Sequence, residues 1–177
     1  MPGAPFFLHG CKTLAYSLAE SLRWSAPGAV LVPAGNGGLV LGLDLGFREL
    51  RRHGWIERRP ALVAIQAATC APLAQAFERG ASSPVPVPEG VTAADGVRVG
   101  APPRGAAVLE AVRDSGGRIA ALDEGEIEAA RRYLWARGYM VESTAALGAG
   151  LVLREGEALR RAYGDLVVVL TGSGLKS

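Results

Sequence analysis

The chain has 177 residues, 49% of them hydrophobic, and a formal net charge of +2. That length sustains one α/β domain with a real core. A charge so near zero gives no reason to expect a nucleic-acid or membrane partner, and no apolar run is long enough to cross a bilayer.

The opening residues Met1-Pro2-Gly3-Ala4-Pro5 carry neither a basic segment nor a long apolar one. No secretion signal is supported, and a cytoplasmic location is expected. Cys11 and Cys70 stand far apart without a CxxC or a histidine cluster. They read as reduced thiols and not as a disulfide or metal site. Every basic residue is arginine except Lys12 and Lys176.

Pro2 to His9 reads as an irregular or extended lead-in. Leu14, Leu18 and Leu22 at helical spacing predict a helix over 13–24, stopped by Pro27-Gly28. Ala29 to Val32 is an apolar run with β-branched residues and predicts a buried strand. It runs through Pro33 into Gly35-Asn36-Gly37-Gly38 and then into a helix from Leu39 to Gly54. Ala61 to Ala67 predicts a second strand, 69–79 a short helix and 81–94 a long loop. A helix over 106–115 and a third strand over 117–122 follow. Asp123-Glu124 opens a helix to Arg137, with acids in its first turn and arginines in its last, as the helix dipole favours. Glu142-Ser143 reads as a helix N-cap before a small-residue helix over 145–153. A further helical turn or two over 156–163 and a fourth strand over 165–170 complete the pattern. Trp24, Trp55 and Trp135 follow apolar periodicity and read as core or interface.

Four apolar strands separated by helices predict an α/β fold, a parallel sheet with helices on both faces, across residues 1–177. Ligands in such sheets bind beyond the carboxyl ends of the strands. Two glycine-rich segments fall there, 34–38 after the first strand and 171–174 after the last. A strand, a glycine turn and a helix present free N–H groups and a positive dipole end to an anion such as a phosphate. Glycine matters because a side chain would hold the anion away and because positive φ is open to it. The same turn also serves as a plain strand-to-helix connection, and the local residues leave both readings open.

Four segments, in order, resemble threonine synthase, a pyridoxal-phosphate (PLP) enzyme of the fold-type II, tryptophan-synthase-β-like group. They are His9-Gly10-Cys11-Lys12-Thr13-Leu14-Ala15, Pro33-Ala34-Gly35-Asn36-Gly37-Gly38-Leu39 with Gly42 and Gly46-Phe47, Ala94-Asp95-Gly96-Val97-Arg98-Val99, and Leu170-Thr171-Gly172-Ser173-Gly174-Leu175-Lys176. Val141-Glu142-Ser143-Thr144-Ala145-Ala146 is a weaker fifth match, with Ser143 where the family usually has proline.

The resemblance implies a partial large domain of a fold-type II enzyme, corresponding to its C-terminal half. It implies PLP as cofactor, with Gly35, Asn36, Gly37, Gly38 and Leu39 at its phosphate, Gly96 beside its ring and Thr171 at its pyridine nitrogen. The Schiff-base lysine belongs to the half that is missing; Lys12 and Lys176 fall on other family positions, so no catalytic residue is assigned. The implied reaction of the whole enzyme is conversion of O-phospho-L-homoserine and water to L-threonine and phosphate, with this chain inactive alone. The alternatives are a non-catalytic phosphate- or PLP-binding or protein-interaction domain, and a fragment of a threonine-dehydratase-like lyase. Expected partners are a phosphate-bearing small molecule and either a second copy of the chain, as a homo-oligomer, or a separate chain carrying the missing half.

Overall fold

Strand side chains alternate between the two faces of a sheet, and here both faces are apolar. In a computed structural model, which describes residues 5–176, the strands are β1 (Ala29–Pro33), β2 (Ala61–Ala67), β3 (Arg118–Leu122) and β4 (Leu166–Val168). They form one sheet in the order β3-β2-β1-β4, every pair parallel. Val30, Val32, Leu62, Ala64 and Ile119 pack on one face with α2 (Thr13–Ser21), α3 (Gly38–Arg52), α4 (Pro72–Glu78) and α5 (Gly105–Asp114). Leu31, Val63, Ile65 and Leu122 pack on the other with α6 (Glu124–Trp135) and α7 (Ser143–Tyr163). Burial of both faces explains why β1 and β2 read as unbroken apolar runs.

The order of the strands locates the functional end. Successive strands step from β1 outward to β2 and β3, and the chain then crosses the other face to place β4 beside β1. The direction of winding reverses between β1 and β4. The loops after these two strands, 34–37 and 169–173, therefore part at their carboxyl ends and leave a crevice.

Most predicted elements stand. Asp123 opens α6 with a reciprocal cap: its carboxylate accepts from the Glu126 N–H, and the Glu126 carboxylate accepts from the Asp123 N–H, each at 2.8 Å. The lead-in differs. Residues 1–4 lie outside the described residues, but Pro5–Cys11 is a helix, α1, and not an extended strand. Proline suits a first helical turn, and the support for this helix comes from α3. Gly38, Gly42 and Gly46 form a bare stripe on α3. A Cβ added there would lie 2.7 Å from the Phe7 ring, 2.5 Å from Cys11 Cβ and 2.6 Å from Ala15 Cβ. Glycine thus lets α1 and α2 lie almost against the α3 backbone.

Other boundaries shift. α4 begins only at Pro72, because residues 67–70 close a tight turn. The two helical pieces expected over 145–153 and 156–163 are the two arms of α7, which starts earlier, at Ser143, and is broken at the non-helical Glu155 (φ −146°, ψ 29°), where the carboxylate pairs with Arg118 and Arg154. β4 spans only 166–168 of the expected 165–170. Of the core-or-interface reading, core does not hold for Trp24 and Trp55: their rings meet at 4.5 Å, tilted by 57°, and are 40% and 55% exposed. Trp135 is half-buried and donates its indole N–H to the Val141 carbonyl. Both cysteines are free thiols. Among the described residues no helix is long and apolar enough to cross a membrane, and no side-chain cluster is suited to a metal ion.

An ion pair ties α3 to the chain just before α2. Lys12 Nζ lies 3.0 and 2.9 Å from the two Glu49 carboxylate oxygens, and the Tyr16 hydroxyl donates to the same carboxylate. The bonds from Tyr16 and Lys12 hold the Glu49 carboxyl below its ordinary range, and the Glu49 bond raises Lys12 above its own.

Two expectations follow from this packing. Gly42→Ala drives a methyl into Cys11 and should cost about 1–3 kcal/mol in thermal or denaturant unfolding. Gly10→Ala meets nothing within 4 Å and should be neutral or slightly stabilising; equal losses at both sites would refute the close-approach account. For Glu49, a depressed native pKa means its contribution is fully present above the unfolded value of about 4.3 and is lost as pH falls through the native one. For Lys12, the raised native pKa keeps its contribution up to about pH 10.4 and loses it above. The melting-temperature advantage over Glu49→Gln should shrink as pH drops through the acid range; a constant difference would show that the charge is idle.

Candidate functional site

The β1–α3 junction ends in amides for which the described residues provide no acceptor. Ala34 is the last residue held to the sheet, its N–H donating to the Ile65 carbonyl at 2.8 Å. The next intrachain donor is Leu41, whose N–H reaches the Gly37 carbonyl at 3.0 Å. Among the described residues, the amides from Gly35 through Val40 donate to no protein acceptor. Gly37 makes the turn possible with φ +80°, and a Cβ there would strike Val108 at 2.2 Å. The fifteen-residue α3 starts immediately after, adding the positive end of its dipole.

A buried side chain fixes this tip. Gln66, wholly buried on β2, donates to the Ala34 carbonyl at 3.1 Å and accepts from the Leu73 and Ala74 N–H groups at 2.9 and 3.1 Å. One amide thus locks the base of the glycine turn to the start of α4. Sequence reasoning passed over Gln66 because it sits inside an apolar strand. A lone amide among seven residues destined for burial was the available signal.

Two other segments close on the turn. The short 3-10 turn Asp95–Val97 lies in backbone contact with it: a Cβ on Gly35 would sit 2.7 Å from the Gly96 carbonyl oxygen. Thr144, in the first turn of α7 and buried, accepts from the Gly96 N–H at 3.1 Å and holds that segment in place. The chain after β4 is stapled to the α6–α7 turn by the Val141–Ser173 bridge. Bonds from Glu142 N–H to the Gly172 carbonyl and from Gly174 N–H to the Met140 carbonyl flank that bridge. Thr171, exposed, is carried to the crevice by this staple.

The result is a cleft of about 470 Å³ at the carboxyl ends of β1 and β4. Gly35, Asn36, Gly37, Gly38, Leu39, Gly96 and Thr171 all line it, so the sequence candidates converge on one place. Phe7, Cys11, Pro33, Val97 and Thr144 line it too and were not singled out as site residues. Phe7 was hidden by the extended reading of the lead-in, and Thr144 lay inside the weak fifth match without a role. Glu142 occupies the N-cap position of α7, but its side chain makes no capping bond; the carboxylate lies against Gly172 instead.

Among the described residues, none that lines the cleft bears a formal charge. The electrostatics of the cleft come from unpaired amides, the α3 dipole, and the hydroxyls of Thr144 and Thr171. Burial pushes the Cys11 thiol up, which keeps it protonated and unreactive near neutral pH. Lys12, next to Cys11 in sequence, does not line the cleft; its amine is committed to Glu49. The side chain of Lys176 lies outside the described residues. A larger hollow of about 810 Å³ opens at the amino end of β4, between Leu22, Pro27, Arg160 and Leu166. It stands at the wrong end of the strands for this fold's ligands.

Comparison with known proteins agrees with this layout. Threonine synthase of Methanocaldococcus jannaschii is 34% identical over 97% of this chain and 43% of its own length. That of Mycobacterium tuberculosis is 34% identical over 97% of this chain and 46% of its own. The chain therefore spans less than half the length of these relatives. Among solved structures, a threonine deaminase from T.th. superposes with a TM-score of 0.75 at 26% identity, covering 94% of this chain and 57% of that one. Maize serine racemase, at 19% identity and a TM-score of 0.80, shares the fold. The sequence pattern of one family, described as pyridoxal-phosphate dependent enzyme, matches residues 2–172, a span that takes in the whole sheet and every wall of the cleft, and the chain belongs to that family.

Proposed function

We propose that the cleft holds PLP, and that the chain is the cofactor-binding portion of a threonine-synthase-like enzyme. The observation that carries this is the run of amides from Gly35 to Val40 at the head of α3, unpaired among the described residues, beside a cleft whose described lining carries no charge. An esterified phosphate is the group such a tip suits, because it accepts several N–H bonds and gains from the dipole. The glycines let the neighbouring segments close on the turn. A Cβ on Gly38 would fill space now taken by the Phe7 ring, and one on Gly35 would drive the Gly96 segment off.

When bound, PLP supplies the electron sink for bond breaking at an amino-acid substrate. The chain's own residues bind and orient. The Asn36 amide extends the anion turn, Thr171 offers a hydroxyl to the pyridine nitrogen, and Gly96 lets the backbone pass beside the ring. A hydroxyl at that nitrogen leaves it without the proton a carboxylate would hold there. Thr144 keeps the Gly96 segment at its distance. The lysine that engages the cofactor in this family has no counterpart among the described side chains lining the cleft. The chain alone is accordingly read as non-catalytic, and the reaction of the whole enzyme as O-phospho-L-homoserine and water giving L-threonine and phosphate. The named threonine synthases support that reaction above a dehydratase, being 34% identical where the deaminase is 26%.

Titration of the purified chain with PLP, followed by absorbance and by the phosphorus resonance of the ester, tests the reading. Saturable binding and a shifted resonance are expected, with no threonine formed from O-phosphohomoserine. Asn36 is exposed, so Asn36→Asp should leave the fold intact. It places a negative charge in the anion turn and should weaken PLP by about tenfold or more, roughly 1.4 kcal/mol. An unmoved phosphorus signal, or affinity indifferent to Asn36→Asp, would remove the phosphate assignment.

A further inference from the structure

Helices α2 and α3 finish beside each other, in the same kind of turn. At the end of α2 the Arg23 N–H donates to the Glu20 carbonyl and the Trp24 N–H to the Ala19 carbonyl, at 2.9 and 2.6 Å. At the end of α3 the Gly54 N–H donates to the Arg51 carbonyl and the Trp55 N–H to the Leu50 carbonyl, at 3.0 and 2.9 Å. Both are Schellman closures, which turn the chain back over the helix it leaves. Glycine takes the left-handed place after α3, with φ +74° at Gly54. After α2 two residues with side chains take it, Arg23 at φ 55° and Trp24 at φ 62°. Positive φ is uncommon outside glycine, and such cases persist only where the surroundings hold them. The two turns bring the Trp24 and Trp55 rings into contact and still leave both half in water.

A hollow of about 210 Å³ opens beside the pair, walled also by Tyr16, Leu50 and His53. The carboxylate in its wall, Glu49, is already matched by Lys12 and Tyr16. Glu49 also borders a second hollow, of about 590 Å³, lined by Arg51 and Arg52. Arg58 lines a third, of about 410 Å³, that shares both tryptophans. Arg48 is committed to Asp44 and Asp114, and Arg59 to Asp44. Arg51, Arg52 and Arg58 are exposed and form no ion pair or side-chain hydrogen bond among the described residues. Arginines at a helix end answer its dipole, which explains part of this cluster. The surplus remains: Arg23, Arg51, Arg52 and Arg58 stand against Glu20, Glu57 and two helix ends worth about half a negative charge each.

We propose that the joined ends of α2 and α3 bind a small molecule in which an aromatic ring carries a phosphate group, as in a mononucleotide. The ring stacks on the exposed indoles over the apolar hollow, as bases stack on aromatic side chains. The phosphate crosses the Glu49 ridge to Arg51 and Arg52, whose planar guanidinium groups match its oxygens. Both halves of the ligand are needed. A bare anion would gain nothing from the indoles, an apolar molecule nothing from the arginines, and a cation would meet their surplus charge. The site lies at the far end of α3 from the glycine turn, about 20 Å away along a fifteen-residue helix. It therefore stands or falls apart from the cofactor reading above.

The chain has three tryptophans, and their indole N–H resonances read the site directly. The full chain is titrated with adenosine 5′-diphosphate, with adenosine and with inorganic phosphate. The diphosphate should shift the Trp24 and Trp55 signals saturably. Trp135, bonded to the Val141 carbonyl on another helix, should stay still. Adenosine and inorganic phosphate should each bind more weakly by about fivefold or more, the loss expected when charge pairing or stacking is withdrawn. Trp55→Leu should weaken the diphosphate by about fivefold or more, read at Trp24. Arg51→Gln with Arg52→Gln should bring the diphosphate down to the affinity of adenosine and leave adenosine unchanged; both arginines are exposed, so this variant serves should Trp55→Leu lose the native circular-dichroism spectrum. Indole signals that ignore the diphosphate overturn the proposal. So does an inorganic phosphate response equal to that of the diphosphate, which would mark an adventitious ion only. Shifts of Trp24 and Trp55 that follow protein concentration without ligand also overturn it, because they would give this face to a second copy.

Discussion

Backbone N–H groups left without an acceptor are costly unless water or a ligand reaches them, and this chain keeps such a set at the tip of β1. The surrounding structure serves that exception. Ala34 is held on one side by the Ile65 carbonyl and on the other by Gln66, which also anchors the start of α4. The turn is thereby prevented from relaxing into the sheet, where its amides would find partners. α3 begins where the pinning ends, so the free amides and the helix dipole face one direction.

Close approach is the second theme, and glycine provides it at particular contacts. The stripe Gly38, Gly42, Gly46 lets α1 and α2 press on α3, which brings Phe7 and Cys11 to the rim of the cleft. Gly148 and Gly150 do the same for α7, against Val168 and Leu122. Thr144 thus sits on a helix wedged into the core, and its bond to the Gly96 amide borrows that rigidity. A cleft lined by loops is in this way positioned by helices and strands that have little freedom to move.

The sheet has one finished edge and one unfinished edge. Arg154 closes the β3 side as part of a network with Glu126 and Glu155. β4 keeps its outward groups and much of its apolar surface exposed. The chain spans less than half of its threonine synthase relatives, and the raw edge and the open side of the cleft lie together at β4.

Strand runs, the glycine turn and the acid-to-base grading of α6 were legible in the sequence because each depends on residues close together in the chain. Apolar continuity over 29–33 and 61–67 announced strands buried on both faces, and Gly35–Gly38 announced a turn with free amides. The family pattern added Gly96 and Thr171, which no local rule would have picked out. Helix α1 escaped, since Pro5–Cys11 has no helical periodicity of its own and is supported by a bare glycine stripe far along the chain. Gln66 escaped because its three bonds go to Ala34, Leu73 and Ala74, neighbours only after folding. Tertiary structure also decided the fate of Lys12, which is near the site motif in sequence but spent on Glu49 in space. Sequence alone determined the kind of most elements and marked candidate residues at their tips. Which tips meet, and which edge stays open, depended on strand order and on close backbone contacts, and those are set by residues far apart in the chain.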